Sequence, residues 1–434
     1  MMKVFSSGHM SMNKLCLGVM ALLLFTPSHA QITLDTVKLS LPEAEKMFME
    51  KNLSLLASKY NIDVNKALIE QAKLVDNPVL VTDQNIYAGN KFFAHGKDAN
   101  GQVEGQYFIQ IQQLIKTAGK RSKWVAMAVT NAKLSELQFN EVMRNLKYQL
   151  RMDYYTTTKL SGTQQLFINE LKVLDKLLSG MAAQLQAGNI AQKDYLRIQA
   201  LRMSMQQDLL DNNQQLADTQ TELKTLLQIT DKRIIATDTA NDLPINNNLM
   251  AGEILSIAKQ YNSAYAIEQM QFVYQQQNLR YQQSLRSADI TLGPEYDHNS
   301  NYTPHYVGLS VSLPLNIFNK NQGNIKSAEF AVKQEAVTLL QVEQQLQNTV
   351  QNAVNKFLMI LQLRGKQEQS FYTDNAQLFK NITDSYTQRQ ISLIEFIDFF
   401  DAYRDTQLKN LQQQLNLQLA KEELNYLAGK DVVN

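Results

Sequence analysis

The chain has 434 residues, of which 44% are hydrophobic and 19% charged, with a formal net charge of +1 and only seven prolines. That length permits two or three domains. The neutral balance excludes a nucleic-acid binder of the electrostatic kind, because there is no basic excess to neutralise phosphates.

Lys14 precedes an apolar run from Leu15 to Phe25, followed by Pro27, Ser28, His29 and Ala30. A short apolar run ending in a small-x-small site reads as a secretory signal cleaved after Ala30, too short to stay as a membrane helix. Translation starts at Met10 or Met12 in this reading, with Met1 left open. The sole cysteine, Cys16, lies inside the signal. The mature chain is therefore expected to have no disulfide, no thiolate metal site and no lipid anchor. No later segment approaches ~18 consecutive apolar residues, so no transmembrane helix is expected. Barrel strands are short and alternating, so a membrane role stays open.

After a short extended arm, Gln31 to Leu39, the group Ser40, Pro42 and Glu43 is a helix-start signature. Helical spacing runs through Ala44, Met47, Leu55, Ile62, Ala67 and Ile69 until Asp76-Asn77-Pro78 ends it. Val79 to Tyr87 reads as a strand and Ala88 to Gly105 as a loop. Tyr107, Ile109 and Ile111 then alternate with Phe108, Gln110 and Gln112, a second strand whose polar face suits a watery lumen. Thr117, Gly119, Lys120 and Arg121 make a turn. The helix that follows reaches Ala187, close to 70 residues or ~100 Å. Gly188-Asn189 breaks it, a return helix occupies Ile190 to about Ile229, and Thr230 to Asn248 reads as a linker.

The second half repeats this plan. A helix over about Gly252 to Leu285 leads to a strand at Ala288 to Tyr296 and a loop at Asp297 to His305. In the next strand Val307, Leu309, Val311 and Leu313 alternate with Gly308, Ser310 and Ser312. Pro314 closes that strand and Asn319 to Gly323 supplies turn chemistry. Ile325, Ala328, Val332, Leu339, Val342, Leu346, Val350, Ala353, Phe357 and Ile360 then hold a helical period, for about 65 residues if it runs to the break at Gln388 to Gln390. A return helix ends near Leu427. Gly119 and Gly323, Gly162 and Gly365, Ile190 and Ile391, and Tyr195 and Phe396 recur at an offset of roughly 200 residues, the mark of a duplication. The organisation expected is a signal peptide at 1–30, a first structural repeat at 31–230, a linker at the equatorial region at 231–250 and a second repeat at 251–434.

Four strands in one chain cannot close a membrane barrel, which needs at least about eight, and an open edge in lipid leaves backbone groups unsatisfied. The chain must therefore pool strands with copies of itself. Two copies make eight strands and three make twelve, and the strand count does not choose between them.

The run PLNIFNKNQGNIKSAEFA from Pro314 closely resembles the strand-to-helix junction of the TolC-like outer-membrane factor family, in particular its cation-efflux branch. The TAGKR turn at Thr117 and the tip segments AGNIAQKDYL from Ala187 and RQISLIEFID from Arg389 extend the resemblance over essentially the whole mature chain. It implies an α+β membrane protein built as a homotrimer, with a shared twelve-stranded barrel in the outer membrane continued by a periplasmic α-helical tunnel. It also implies an exit duct in a tripartite efflux system, with a periplasmic adaptor (membrane fusion) protein and an inner-membrane pump of RND type as partners, and metal cations as cargo. Drugs or other small molecules are the alternative cargo. A secreted structural coiled-coil protein is the alternative of another class, and it leaves the alternating strands unexplained. No Gly-x-Ser-x-Gly, His-Glu-x-x-His, phosphate loop or cysteine nucleophile suggests an enzyme, and no cofactor is expected.

The resemblance puts Leu185, Gly188, Asn189 and Ile190, with Tyr386, Arg389, Ile391 and Ser392, at the periplasmic tip where the adaptor docks. Arg389 stands where the family has a small residue. Gate candidates near that tip are Asp374, Asp384, Asp194 and Arg389, with Lys193 beside them. A ring of three aspartates on an axis would attract cations. The mature histidines His95, His298 and His305 fall in expected loops without ligand spacing on a helix, so no metal site is assigned to them. Met127, Met143, Met203 and Met205 read as packing residues. Trp124, Tyr107 and Tyr306 are expected near a membrane interface.

Overall fold

Two asparagines decide how each half begins. The computed structural model describes residues 35–237, 250–301, 303–365 and 369–433. The signal peptide, with Cys16 and the cleavage site at Ala30, lies outside the described residues. Strand β1 (Asp35–Leu39) leads into α1 (Leu41–Lys51), and α2 (Leu53–Lys73) follows directly. The single helix expected here is broken at Asn52, whose side chain accepts from Leu55 N–H (3.1 Å) and donates to the Leu226 carbonyl (2.9 Å). A side chain that caps one helix while bonding to a distant one sets an angle that helical periodicity does not show.

Next come β2 (Val79–Gln84), two small hairpins, β3 (Tyr87–Ala88) with β4 (Lys91–Phe92) and β5 (Gly96–Lys97) with β6 (Val103–Glu104), then β7 (Tyr107–Ile115). Helix α3 (Lys120–Gln186) is 67 residues long, ~100 Å, and α4 (Gln192–Leu227) returns along it. The segment read as linker holds a further strand, β8 (Lys232–Ala236), which pairs in parallel with β1. Gln220 clamps β8 by accepting from Ile234 N–H (2.9 Å) and donating to its carbonyl (2.7 Å).

The second half opens with α5 (Ala251–Tyr261) and α6 (Ser263–Ser284), again split at an asparagine. Asn262 accepts from Tyr265 N–H (3.1 Å) and donates to the Leu427 carbonyl (3.0 Å), the same two bonds that Asn52 makes. Strands β9 (Ile290–Asn299) and β10 (Pro304–Ser312) form a hairpin. Helix α7 (Gln322–Gly365) is followed by α8 (Gln369–Thr387) and, after a tip, by α9 (Leu393–Ala428). The unbroken helix expected over this stretch passes through residues 366–368, which lie outside the described residues.

Side-chain bonds pin the junctions between strands and rods. Lys120, buried at the start of α3, reaches the Asp289 carboxylate (2.6 Å) and the Ser287 carbonyl (2.7 Å) just before β9. In the PLNIFNKNQ run, Asn316 donates to the Arg286 carbonyl (2.9 Å) and Asn321 to that of Gln282 (2.8 Å), so its asparagines tie the junction back to the end of α6. The helical cores are separate along the length. One gathers α1, α3, α4 and the β1–β8 pair, one α5, α7 and α9, and one lies toward the tips on α3, α4 and α9. Gly162, inside α3, has a packing reason: a Cβ there would sit 3.1 Å from Leu411 Cδ2 on α9.

Candidate functional site

The four-stranded sheet runs β10-β9-β7-β2, so both of its edges are unpaired among the described residues. Its register stacks Leu309 on Pro294 and Val311 on Leu292 on one face, with Ser310 on Gly293 and Gly308 on Glu295 on the other. Exposure is inverted relative to a water-soluble sheet, with Val307 at 76%, Leu309 at 64% and Val311 at 62%. Ile109 and Ile111 continue this bare apolar face on β7. On the other face Gln112 donates to Gln110 (2.6 Å) and buried Gln110 donates to Glu295 (2.7 Å), a polar ladder among small residues. A sheet with an uncovered apolar face and a hydrogen-bonded polar one suits lipid outside and water inside. No helix among the described residues is long and apolar enough to cross a membrane.

Below the sheet, the body is fastened by one cation. Arg151 on α3 is 8% exposed and meets Glu45 of α1 (2.5 Å), Glu422 of α9 (2.5 Å) and Asp431 beyond α9 (2.7 Å). Burial opposes its charge, but these carboxylates outweigh burial and hold the guanidinium charged. Its hydrogen bonds in turn keep Asp431 below the usual carboxylate range. Glu45 and Glu422 sit more than 370 residues apart in sequence, and sequence spacing carries no signal for the cluster.

Further along α3, Glu170 is 1% exposed and neither carboxyl oxygen has a hydrogen-bond partner among the described residues. Burial pushes it up to about 8; Arg404 opposes, while Asp401 and Asp208 add to the rise. Burial likewise pushes Asp153 up to about 7, although Gln149 donates to it (2.7 Å). Glu170 holds its proton in the folded chain to a higher pH than in the unfolded one. The stability tied to that proton is complete below the ordinary carboxyl range and is lost as pH rises toward 8. Glu170→Gln, which mimics the neutral acid, is expected to raise the melting temperature at pH 8 relative to wild type by an amount worth a few kcal/mol, on the order of ~2–4, and to change little at pH 4.5. A melting series over pH 4.5–8.5 checks this; parallel wild-type and variant curves would count against it.

At the far end the two tips make one turn twice. Gly188 N–H bonds to the Leu185 carbonyl (2.9 Å) and Asn189 N–H to that of Gln184 (2.9 Å). Arg389 N–H bonds to Tyr386 (3.0 Å) and Gln390 N–H to Ser385 (2.9 Å) in the same pattern. Gly188 has φ +70° and Arg389 φ +61°, so the arginine adopts the left-handed conformation that glycine takes freely. The departure at Arg389 thus leaves the turn geometry intact. Its guanidinium donates to Gln184 Oε1 (2.6 Å), as does the Asn189 amide (3.0 Å), so the tip residues of both halves come together. Ile190, Tyr386 and Ile391 pack against the tip-side core, and Tyr386 stacks on Phe396 at 4.8 Å. Ser392 caps α9, accepting from Glu395 N–H (3.2 Å). Leu185 lies on the last turn of α3.

The gate candidates are more scattered. Asp374 and Asp384 are exposed on α8, and Asp194 sits in the first turn of α4 next to exposed Lys193. Burial, and then the charge of Asp194, hold the Tyr386 phenol above its ordinary range. Among the described residues no ion pair within the chain includes Asp194, Asp374, Asp384 or Arg389, so these residues are not seen latched to one another. Among the histidines, only His95 is in a loop. His298 belongs to β9 and His305 to β10, because the hairpin is tighter than the loop expected from sequence. Trp124 packs on Tyr281 (5.4 Å) just below the sheet.

No family model matches the chain, and no curated protein matches it by sequence. Solved structures do. The Campylobacter jejuni CmeC outer membrane channel aligns over 91% of this chain and 87% of its own, at 10% identity and a TM-score of 0.72. The outer membrane protein VceC from Vibrio cholerae aligns over 90% and 96%, at 14% identity and a TM-score of 0.68. CusC, studied for folding and transmembrane channel formation, aligns over 91% and 93%, at 15% identity and a TM-score of 0.68. CusC, at 15%, and VceC, at 14%, are nearly equally distant in sequence, so the likeness selects no branch. What these structures share with the chain is its architecture from end to end: this chain has the fold of the outer-membrane channels.

Proposed function

We propose that the chain is the outer-membrane exit duct of a tripartite efflux system. It works as a homotrimer that receives solutes from an inner-membrane pump, of RND type, through a periplasmic adaptor. The observation that carries the reading is the four-stranded sheet, bare and apolar on one face, unpaired at β2 and β10 among the described residues, and continued by long helices, α3 reaching ~100 Å. Those edges cannot stay open in lipid, where each unsatisfied backbone group costs several kcal/mol. Pairing β10 of one copy with β2 of the next closes a twelve-stranded barrel and removes every edge. The long helices follow as a tunnel, and exposed apolar stripes support their burial against neighbouring copies. One stripe is Leu53, Leu56, Tyr60, Val64 and Leu68 on α2; another is Phe330, Val337 and Leu340 on α7.

A duct lined by glutamine, asparagine, serine and threonine holds no solute tightly, so passage is diffusive and selection belongs to the pump. Metal cations lead as cargo because of the junction motif around Asn316 to Asn324; drugs and other small molecules come second. The adaptor docks at the joined tips, Leu185 to Ile190 with Tyr386 to Ser392. The gate is formed between copies from Asp374, Asp384, Asp194 and Arg389.

The test is a deletion strain complemented by wild type or by Arg389→Glu, which breaks the bond to Gln184 and reverses the tip charge. Wild type should restore resistance to the exported solutes, metal salts first, and should run as a heat-modifiable trimer extracted from the outer membrane. Arg389→Glu should keep the trimer and lose at least half of the resistance. A water-soluble extended dimer, as a secreted coiled coil would give, would overturn the reading.

A further inference from the structure

Two of the three histidines among the described residues, His298 and His305, gather with Tyr107 and Tyr296 at the end of the sheet remote from the helices. Pro304 pairs with Asn299 and Tyr306 with Asp297, so His305 faces His298 across the hairpin. Phe108 pairs with Asp297, so Tyr107 faces His298 from the other side. The three rings form one cross-strand row on the face that carries Val307 and Ile109. Tyr107 stacks on His298 with centroids 4.8 Å apart and planes within 11°. The rings of His298 and His305 are 4.9 Å apart and nearly perpendicular, at 76°.

We propose that His298 and His305 form a two-imidazole binding site for a divalent first-row transition-metal ion at the outer rim of the barrel. Spacing is the first argument. A metal about 2.0–2.1 Å from a ligating nitrogen lies ~3.2 Å from that ring's centroid, so two imidazoles on one ion have centroids ~4.5 Å apart at a right angle and ~5.2 Å apart at a tetrahedral angle. The observed separation falls between these values with no metal required to explain it.

Unspent nitrogens are the second argument. His298 Nδ1 is buried and has no hydrogen-bond partner among the described residues, a cost that a bound ligand would remove. His305 Nδ1 lies 2.8 Å from the Tyr296 hydroxyl. In the tautomer where Nδ1–H donates to the phenol oxygen, the lone pair rests on Nε2, the arrangement in which ligating histidines are held. His305 also keeps φ +57°, a left-handed conformation uncommon for a non-glycine residue, and that backbone turn presents its ring to the row.

No group of three or more His, Cys, Asp or Glu side chains among the described residues could hold a metal, so water fills the rest of this coordination shell. Such a site takes copper(II) more tightly than zinc or nickel and exchanges it readily. His95 stands apart, meeting only the edge of Tyr107 at 6.4 Å. The site is independent of what the duct carries and of whether the trimer reading holds, since both ligands come from one hairpin.

The test uses the untagged full-length protein in detergent, stripped by a chelator and titrated with copper(II) chloride by calorimetry and electron paramagnetic resonance. One copper per chain is expected, with superhyperfine splitting from two imidazole nitrogens. His298→Gln and His305→Gln should each weaken binding by about tenfold or more, and His95→Gln should leave it unchanged. No uptake by wild type, a spectrum without two nitrogens, or undiminished affinity in the H298Q/H305Q double variant would overturn the proposal. If a variant fails to assemble, the wild-type spectrum decides alone.

Discussion

Val311→Lys is expected to abolish assembly in the outer membrane, while Ser310→Lys, one residue earlier on the same strand, is expected to assemble normally. Val311 is 62% exposed on the apolar face, opposite Leu292. Val311 is the last residue but one of β10, and a lysine on the lipid face costs up to about 2–4 kcal/mol per chain, most at mid-membrane and less toward a strand end. In the proposed trimer the three copies multiply that cost up to about threefold, a large fraction of the stability of a domain. Ser310 faces the other way, opposite Gly293 and close to Glu295, where an ammonium meets water and a carboxylate. The yield of heat-modifiable trimer from membranes measures both. Equal loss at the two positions would show that this strand does not line a barrel.

Arg151→Met should be the most damaging single change in the helical body. It leaves Glu422, 2% exposed, without its cation, and frees Glu45 and Asp431 from a shared partner. Removing one member of a buried ionic cluster costs about 3–5 kcal/mol, because the remaining charge stays desolvated. A drop in melting temperature of roughly 5 °C or more should follow. Adding Glu422→Gln to the same chain should recover part of the loss, since the orphaned charge is then gone. If the double variant is no better than Arg151→Met, the cost lies in packing of the arginine stem and not in charge.

The rods and the four main strands were legible because each repeats a local rule many times. A period near 3.6 sustained over 67 residues of α3, and strict alternation in β7 and β10, need no knowledge of distant partners. The tips were legible for the same reason: Gly188-Asn189 interrupts a period, and so does Arg389-Gln390. The joints at Asn52 and Asn262 were missed although each carries a local cap signal, because the apolar spacing on either side continues through them. Strand β8 was missed because its five residues sit among linker-like neighbours and gain order from the Gln220 clamp and from β1, nearly two hundred positions earlier.

Amino-acid order alone determined the period of every long element, the polarity of each strand face and the impossibility of sealing a barrel with one copy. These follow from steric period and from backbone hydrogen-bond accounting, which act between near neighbours. Only tertiary structure decided that Arg151 binds three carboxylates from three segments, that Glu170 is enclosed with no hydrogen-bond partner among the described residues, and that His298 and His305 meet across a hairpin. Electrostatic energy and desolvation depend on distance in space and on exclusion of water, and neither is set until the rods and strands have packed.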